Sequence, residues 1–201
     1  MNTFIYMVRH GESPKTEGTE RTRGLTEKGR ADADRITELL KDEGIGVFVS
    51  SPYRRAILTL QELARHSRQK IIVFEDLKER IFLNEENRMP DADLFPLVEK
   101  SFADPNFSLE GGESNAECQT RAISVLKKLL QLYRGQKIAV GTHGAVMTLM
   151  MAFYDPQYDF DFLLQTSKPD VYRLEFDNQK LVQVNRLWGD STLSGGSSNI
   201  G

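Results

Sequence analysis

Cysteine is nearly absent from this chain: among 201 residues there is one, Cys118. A single thiol excludes an intrachain disulfide and gives no support to a cysteine-ligated metal cluster, so Cys118 reads as a small core residue and the compartment as a reducing cytoplasm. A strong charge of either sign is missing too. Lys and Arg number 26 against 29 for Asp and Glu, a formal charge of -3, too little to draw nucleic acid or an anionic membrane to the molecule as a whole. Any anion site must therefore be local. No run approaches the ~20 apolar residues of a membrane helix. Met1-Asn2-Thr3 lacks the basic segment of a signal peptide, and the apolar stretch behind it stops at Arg9. The expectation is a soluble cytoplasmic protein with neither a membrane nor a nucleic acid as partner. Histidine is scarce as well, three in the chain, which makes their positions informative.

What is present suits one globular domain: 39% of residues are hydrophobic, enough for a substantial core. The domain is expected to span 1–190, with a disordered Ser- and Gly-rich tail at 191–201. Short apolar runs alternate with longer amphipathic ones, the pattern of strands joined by crossover helices. This predicts an α/β fold, a three-layer α/β/α sandwich around a mostly parallel sheet. Strands are expected at Phe4 to Val8, Val47 to Val49, Ile71 to Phe74 and Lys137 to Val140. An antiparallel hairpin, Val171 to Phe176 with Leu181 to Leu187, closes the sheet around a polar Asp-Asn-Gln turn.

Helices are expected from Glu27 to Lys41 behind Thr26 as N-cap, and after Ser51-Pro52, read as N-cap and first helical position. Ser114-x-x-Glu117 is a capping box for a third helix with Cys118, Ala122, Val125, Leu126, Leu129 and Tyr133 on its core face. Ala145 to Phe153 is apolar all round and reads as a buried helix that absorbs Met147, Met150 and Met151. Arg80 to Glu110 loses periodicity, apart from one short helix at Leu94 to Phe102; irregular chain of that length inside a domain is often functional.

In parallel α/β sheets ligands bind beyond the carboxyl ends of the strands. Those positions here hold Arg9-His10-Gly11-Glu12-Ser13, Ser50 to Arg55, Glu79, and Gly141-Thr142-His143-Gly144. Arginines beside histidines suit an oxyanion, because guanidinium binds phosphate through paired, charge-assisted hydrogen bonds. Gly11 and Gly144 would let an anion approach the backbone. An imidazole with an ordinary pKa of ~6.5 is neutral and nucleophilic near pH 7 and can attack phosphorus. A metal is the competing reading of two histidines and several carboxylates, but no His-x-x-x-His or Cys-x-x-Cys occurs, and the arginines would repel a cation.

At these residues the chain resembles the histidine phosphatase superfamily, also called phosphoglycerate mutase-like. The resemblance runs through Arg-His-Gly-Glu at Arg9 to Glu12, Leu-Thr-x-x-Gly at Leu25 to Gly29 and Ser-Ser-Pro-x-x-Arg-Ala at Ser50 to Ala56. It continues through Leu-x-Glu at Leu77 to Glu79, Gly-Glu-Ser at Gly112 to Ser114 and Thr-His-Gly at Thr142 to Gly144. It implies that His10 becomes a phosphohistidine and that Arg9, Arg55 and His143 hold the transferring phosphoryl group. It implies that Glu79 protonates the leaving alcohol and then activates water, with no metal or organic cofactor. Gly144, Ser13 and Arg23 are further candidate contacts for a small phosphorylated substrate, as are Lys15 and Arg21; Ser13 equally fits a loop cap. Arg54 reads as a helix-surface charge, and His66 as a helix-end residue favoured by the dipole.

The chain departs from many relatives in two places. Thr16 stands where they have asparagine, and Arg80-Ile81-Phe82-Leu83-Asn84 replaces a Gly-x-Trp-Glu-Gly stretch. Phosphoglycerate mutases are also usually longer, which favours hydrolysis of small phosphate monoesters over phosphoryl transfer between hydroxyls. A catalytically idle phosphate-binding module is the alternative from another class.

Overall fold

The first strand is covered on both faces, and its residues sort accordingly. In β1 (Thr3–Arg9) Ile5 and Met7 join one core cluster while Tyr6 and Val8 join the other, the consequence of a two-residue side-chain period. The computed structural model describes residues 1–84 and 89–189. After β1 come α1 (Glu27–Leu40), β2 (Val47–Ser50), α2 (Arg54–His66), β3 (Ile71–Val73), α3 (Asp91–Ala103) and α4 (Asn115–Leu132). β4 (Lys137–Thr142), α5 (Gly144–Ala152), α6 (Phe160–Gln165), β5 (Asp170–Asp177) and β6 (Lys180–Arg186) complete it. The tail expected beyond 190 lies outside the described residues.

The six strands lie in the order β3-β2-β4-β1-β5-β6. The first four are parallel, whereas β5 runs antiparallel to both β1 and β6. Ile36, Leu40, Leu60 and Leu63 of α1 and α2 pack with Tyr6 and Val8 on one face. Cys118 and Leu126 of α4, with Val146, Met147, Met150 and Met151 of α5, pack with Ile5 and Met7 on the other. The result is the three-layer α/β/α arrangement. Neighbouring strands β1 and β4 therefore send the helices that follow them to opposite faces. Their carboxyl ends border a crevice, the switch point at which such sheets bind ligands.

Local signals explain most helix starts. Thr26 accepts the Gly29 amide at the head of α1, and Ser114 with Glu117 forms the full capping box of α4, each worth about 1 kcal/mol. The other expected N-cap, Ser51, is a correction. α2 begins at Arg54 behind Tyr53 with no side-chain cap bond, because the Ser51 hydroxyl is engaged by the Tyr53 amide and the His143 ring.

α3 is also longer than expected. Asp91 and Asp93 suit the positive end of the helix, but Pro96 within it and its scant buried surface hide its period. α6 was not expected; its six residues are too short to show a period, although Asp159 caps it through the Phe162 amide. Among the described residues no helix is long and apolar enough to cross a membrane.

Candidate active site

Three parallel strand ends are stitched together one residue beyond the sheet. His10 N donates to Thr142 O at 3.0 Å and Ser51 N to Gly141 O at 2.9 Å. This brings His10 and His143 ring to ring, centroids 5.2 Å apart at 60°, with Tyr53 edge-on to His143 at 5.0 Å. Both histidines are buried, and that burial, with Arg55 as the next contribution, holds each imidazole well below its ordinary pKa. Both rings are neutral at pH 7.

The partners of their ring nitrogens bear on the tautomers. His10 Nδ1 lies 2.7 Å from the Gly11 carbonyl, which can only accept, so the proton sits on Nδ1 and the lone pair on Nε2. His143 Nε2 lies 2.7 Å from Ser51 Oγ, and Ser51 accepts the Tyr53 amide at 3.2 Å. If the fully buried hydroxyl donates to Nε2, its hydrogen is satisfied and His143 carries its own proton on Nδ1. That Nδ1 has no partner among the described residues. The pair thus presents an imidazole lone pair beside an imidazole N–H donor.

Guanidinium groups surround this pair. Arg55 is 1% exposed; burial, reinforced by the like charge of Arg23, pushes its pKa down to about 10. It remains charged at neutral pH. Its partners are the Glu20 carbonyl and, at 3.0 Å, the Glu20 carboxylate, which Arg23 shares at 2.9 Å. Arg55 also stacks on Tyr53 at 4.8 Å. Arg9 donates to the carbonyl and hydroxyl of Thr166 and stands opposite Asp170 across the β1–β5 pairing. The Nε atoms of Arg9, Arg23 and Arg55 are buried without partners among the described residues. Charge density of this kind, in a chain of net charge -3, suits a multivalent anion.

Glu79 meets the cluster from the far side. Its carboxylate accepts the Val146 and Ala145 amides of the first turn of α5 at 2.9 and 3.2 Å, and its own neighbour's amide, Arg80 N, at 2.9 Å. The side chain is thereby held in place at the N-terminus of α5.

The remaining candidates divide. Ser13, Lys15, Arg23 and Gly144 line the same cavity as His10, Arg9, Arg55 and Glu79. Within it Ser13 Oγ donates to the Gly24 carbonyl at 2.6 Å, and Lys15 pairs with Asp91. Arg21 instead pairs with Glu75 through both Nη atoms, at 3.1 and 2.6 Å. Arg54 is exposed and His66 closes α2. The two glycines have packing reasons of their own. A Cβ on Gly11 would come within 2.9 Å of the Gly29 carbonyl, and one on Gly144 within 2.8 Å of the Arg9 guanidinium.

The cavity over the cluster holds about 630 Å3. A larger groove of about 890 Å3 lies between α1, α2 and Trp188, but of the histidines it holds only His66 and none of the converging arginines, so the smaller cavity is the candidate active site. Among the described residues no three His, Cys, Asp or Glu side chains group to hold a metal ion.

Comparison with known proteins gives the family. The family model described as histidine phosphatase superfamily (branch 1) matches residues 5–189. The chain belongs to the histidine phosphatase superfamily. It is 29% identical over 200 residues to phosphoglycerate mutase-like protein 4 of Arabidopsis thaliana, covering 92% of this chain and 84% of that protein. It is 27% identical over 154 residues to the uncharacterized phosphatase PhoE of Bacillus subtilis (strain 168), covering 74% and 76%. Among solved structures, Bacillus stearothermophilus YhfR superposes with a TM-score of 0.75 at 24% identity, over 90% of this chain and 94% of that one. A mycobacterial glucosyl-3-phosphoglycerate phosphatase does so with 0.74 at 17% identity, over 92% and 97%. At these identities the likeness is one of fold.

In this histidine phosphatase superfamily member several residues of the cluster had not stood out in the sequence. Ser51 was read as a helix cap and Tyr53 as part of a motif. Glu20 and Thr166 sit in polar stretches with no local pattern and are recruited only by the tertiary fold. Asp170, which accepts Arg186 at 2.9 and 2.8 Å while facing Arg9, announced only the start of a strand.

Proposed function

We propose that this chain hydrolyses phosphate monoesters in two steps through His10. The observation that carries the reading is the placement of two buried histidines ring to ring among Arg9, Arg23 and Arg55, with Nδ1 of His10 held by a carbonyl and its Nε2 lone pair left to attack. An imidazolium could not attack phosphorus; the buried, neutral ring can.

In the first step Nε2 bonds to phosphorus and the ester P–O bond breaks. The departing alkoxide takes the proton of Glu79 in its acid form. Arg9, Arg55 and His143 Nδ1–H hold the three peripheral oxygens, so that most of the catalysis is positioning and charge neutralisation. In the second step Glu79 takes a proton from water, the water oxygen bonds to phosphorus, and the P–N bond breaks. Inorganic phosphate and neutral His10 result. The residues present complete both steps without a metal or organic cofactor.

The test is a base-quenched reaction with p-nitrophenyl phosphate. Wild type is expected to carry an acid-labile, base-stable phosphohistidine; His10→Ala is expected to lose it, together with at least about 1,000-fold in turnover. A His10→Ala protein that still turns over at the wild-type rate would sink the mechanism. Addition of 3-phosphoglycerate with a bisphosphoglycerate primer distinguishes transfer to a second hydroxyl from transfer to water.

A further inference from the structure

The phosphate cluster fills only the inner end of the cavity. We propose that the alcohol half of the substrate is apolar and at least as large as a six-carbon chain or ring, seated in the outer part of the cavity against α3 and α6. This rests on the phosphatase reading above.

Composition argues it first. The lining includes Phe82, Leu94, Phe95, Phe160, Leu163 and Leu164. Phe95 and Leu164 are each 48% exposed, although large apolar side chains stabilise a fold only when covered. The helices that carry them bury almost nothing: Ser101 alone on α3 and no residue on α6. An apolar ligand gives these side chains the cover that the described residues do not.

Rigidity argues it second. Phe82 lies 3.8 Å from the buried Arg80 guanidinium. Its strip of backbone is pinned by Glu113 N to Ile81 O at 2.8 Å and Ile81 N to Glu113 Oε1 at 3.1 Å. Gly112 packs so closely that a Cβ there would come within 2.1 Å of the Phe82 carbonyl. Phe160 of α6 is braced by Phe95 at 5.4 Å and Phe102 at 5.9 Å, both of α3. The wall is therefore preformed. Its volume, about 630 Å3 with the phosphate end included, is in the range of pockets that enclose drug-sized molecules. Lys15 and Lys168 both line the cavity, and Lys15 is paired with Asp91, a pair that a substrate carboxylate drawn to Lys15 would have to break.

Straight-chain alkyl phosphates from ethyl to hexyl test this, because their leaving alcohols differ little in acidity and only the apolar contact grows. The expected rise in kcat/KM is about fourfold per methylene, the factor equivalent to ~0.8 kcal/mol per buried CH2. Glycerol phosphate is expected at least about tenfold below propyl phosphate. Leu164→Ser and Phe95→Ser, on α6 and α3, should each flatten the series. The matching alkyl phosphonates, which cannot be hydrolysed, should inhibit with the same gradient and so read binding without chemistry. A flat series in both esters and phosphonates, or glycerol phosphate preferred to propyl phosphate, overturns the apolar assignment. No turnover of any ester beside a rising phosphonate gradient overturns the phosphatase reading and leaves the apolar site standing.

Discussion

The chemistry at the strand ends depends on which nitrogen of each histidine carries a proton. Main-chain geometry sets this at His10, where the Gly11 carbonyl claims Nδ1–H; at His143 the partner of Nε2 is the Ser51 hydroxyl. Nitrogen-15 spectra of the ligand-free protein are therefore expected to show both rings as the neutral Nδ1–H tautomer, from pH 8 down through 6.5. An imidazolium pattern at pH 6.5 would contradict the burial argument, since burial is the first cause that lowers both groups. Ser51→Ala should release His143 from its tautomer and lower kcat by roughly tenfold or more while leaving KM close to wild type, as expected for a residue that acts by holding the ring in its catalytic form. Of this residue-scale arrangement, His10, His143, Arg9, Arg55 and Glu79 were legible, because each directly follows a strand or stands in a recognisable run. Glu20, Thr166 and the role of Ser51 were not, because nothing local distinguishes a polar loop residue that turns inward from one that turns to solvent.

At the scale of elements, the loop after β1 and the first turn of α1 are fitted backbone to backbone. A Cβ on Gly29 would stand 2.1 Å from the Glu12 carbonyl, with Gly11 meeting Gly29 from the other side. Backbone cannot rotate away as a side chain can. Gly29→Ala is accordingly expected to destabilise the protein by about 2–3 kcal/mol, in the range of overpacking, and to weaken activity by shifting His10; urea unfolding midpoints with an unchanged m-value would register it. Leu-Thr-x-x-Gly thus combines a helix cap with a contact that only glycine permits. Strands and long amphipathic helices were readable because their periods repeat enough times to be counted. α6 and the first turn of α3 escaped because short helices and proline erase the period, and the start of α2 escaped because a tertiary contact took its cap. Those less legible helices are the ones that build the outer wall of the cavity.

For the whole molecule, two buried neutral histidines link folding to pH. In the unfolded chain each takes up a proton as pH falls through ~6.5. In the fold each stays neutral until well below that value. The unfolded state therefore binds more protons in the window beneath pH 6.5, and stability falls there as the solution is acidified, by up to about 1.4 kcal/mol per pH unit for each histidine. Above that window neither contributes. Chemical denaturation at pH 7.5 and 5.5 should show the loss, and His143→Gln, which removes one of the two groups, should make it shallower.

Glu20 gives the pocket a further property. Its carboxylate already occupies the arginines that a phosphoryl group would want, so the site at rest holds an anion of its own. Capturing substrate is then an exchange of tenants in which affinity reports how much better a phosphoryl dianion satisfies the guanidinium groups than a carboxylate does. Under the proposed hydrolysis, release of inorganic phosphate would be the reverse exchange, with the displaced side chain still tethered nearby as a competitor at high local concentration. Glu20→Gln should unbalance the cycle, tightening inhibition by inorganic phosphate roughly tenfold and making product departure the slow step. An unchanged phosphate inhibition constant would show that the carboxylate only orients the arginines.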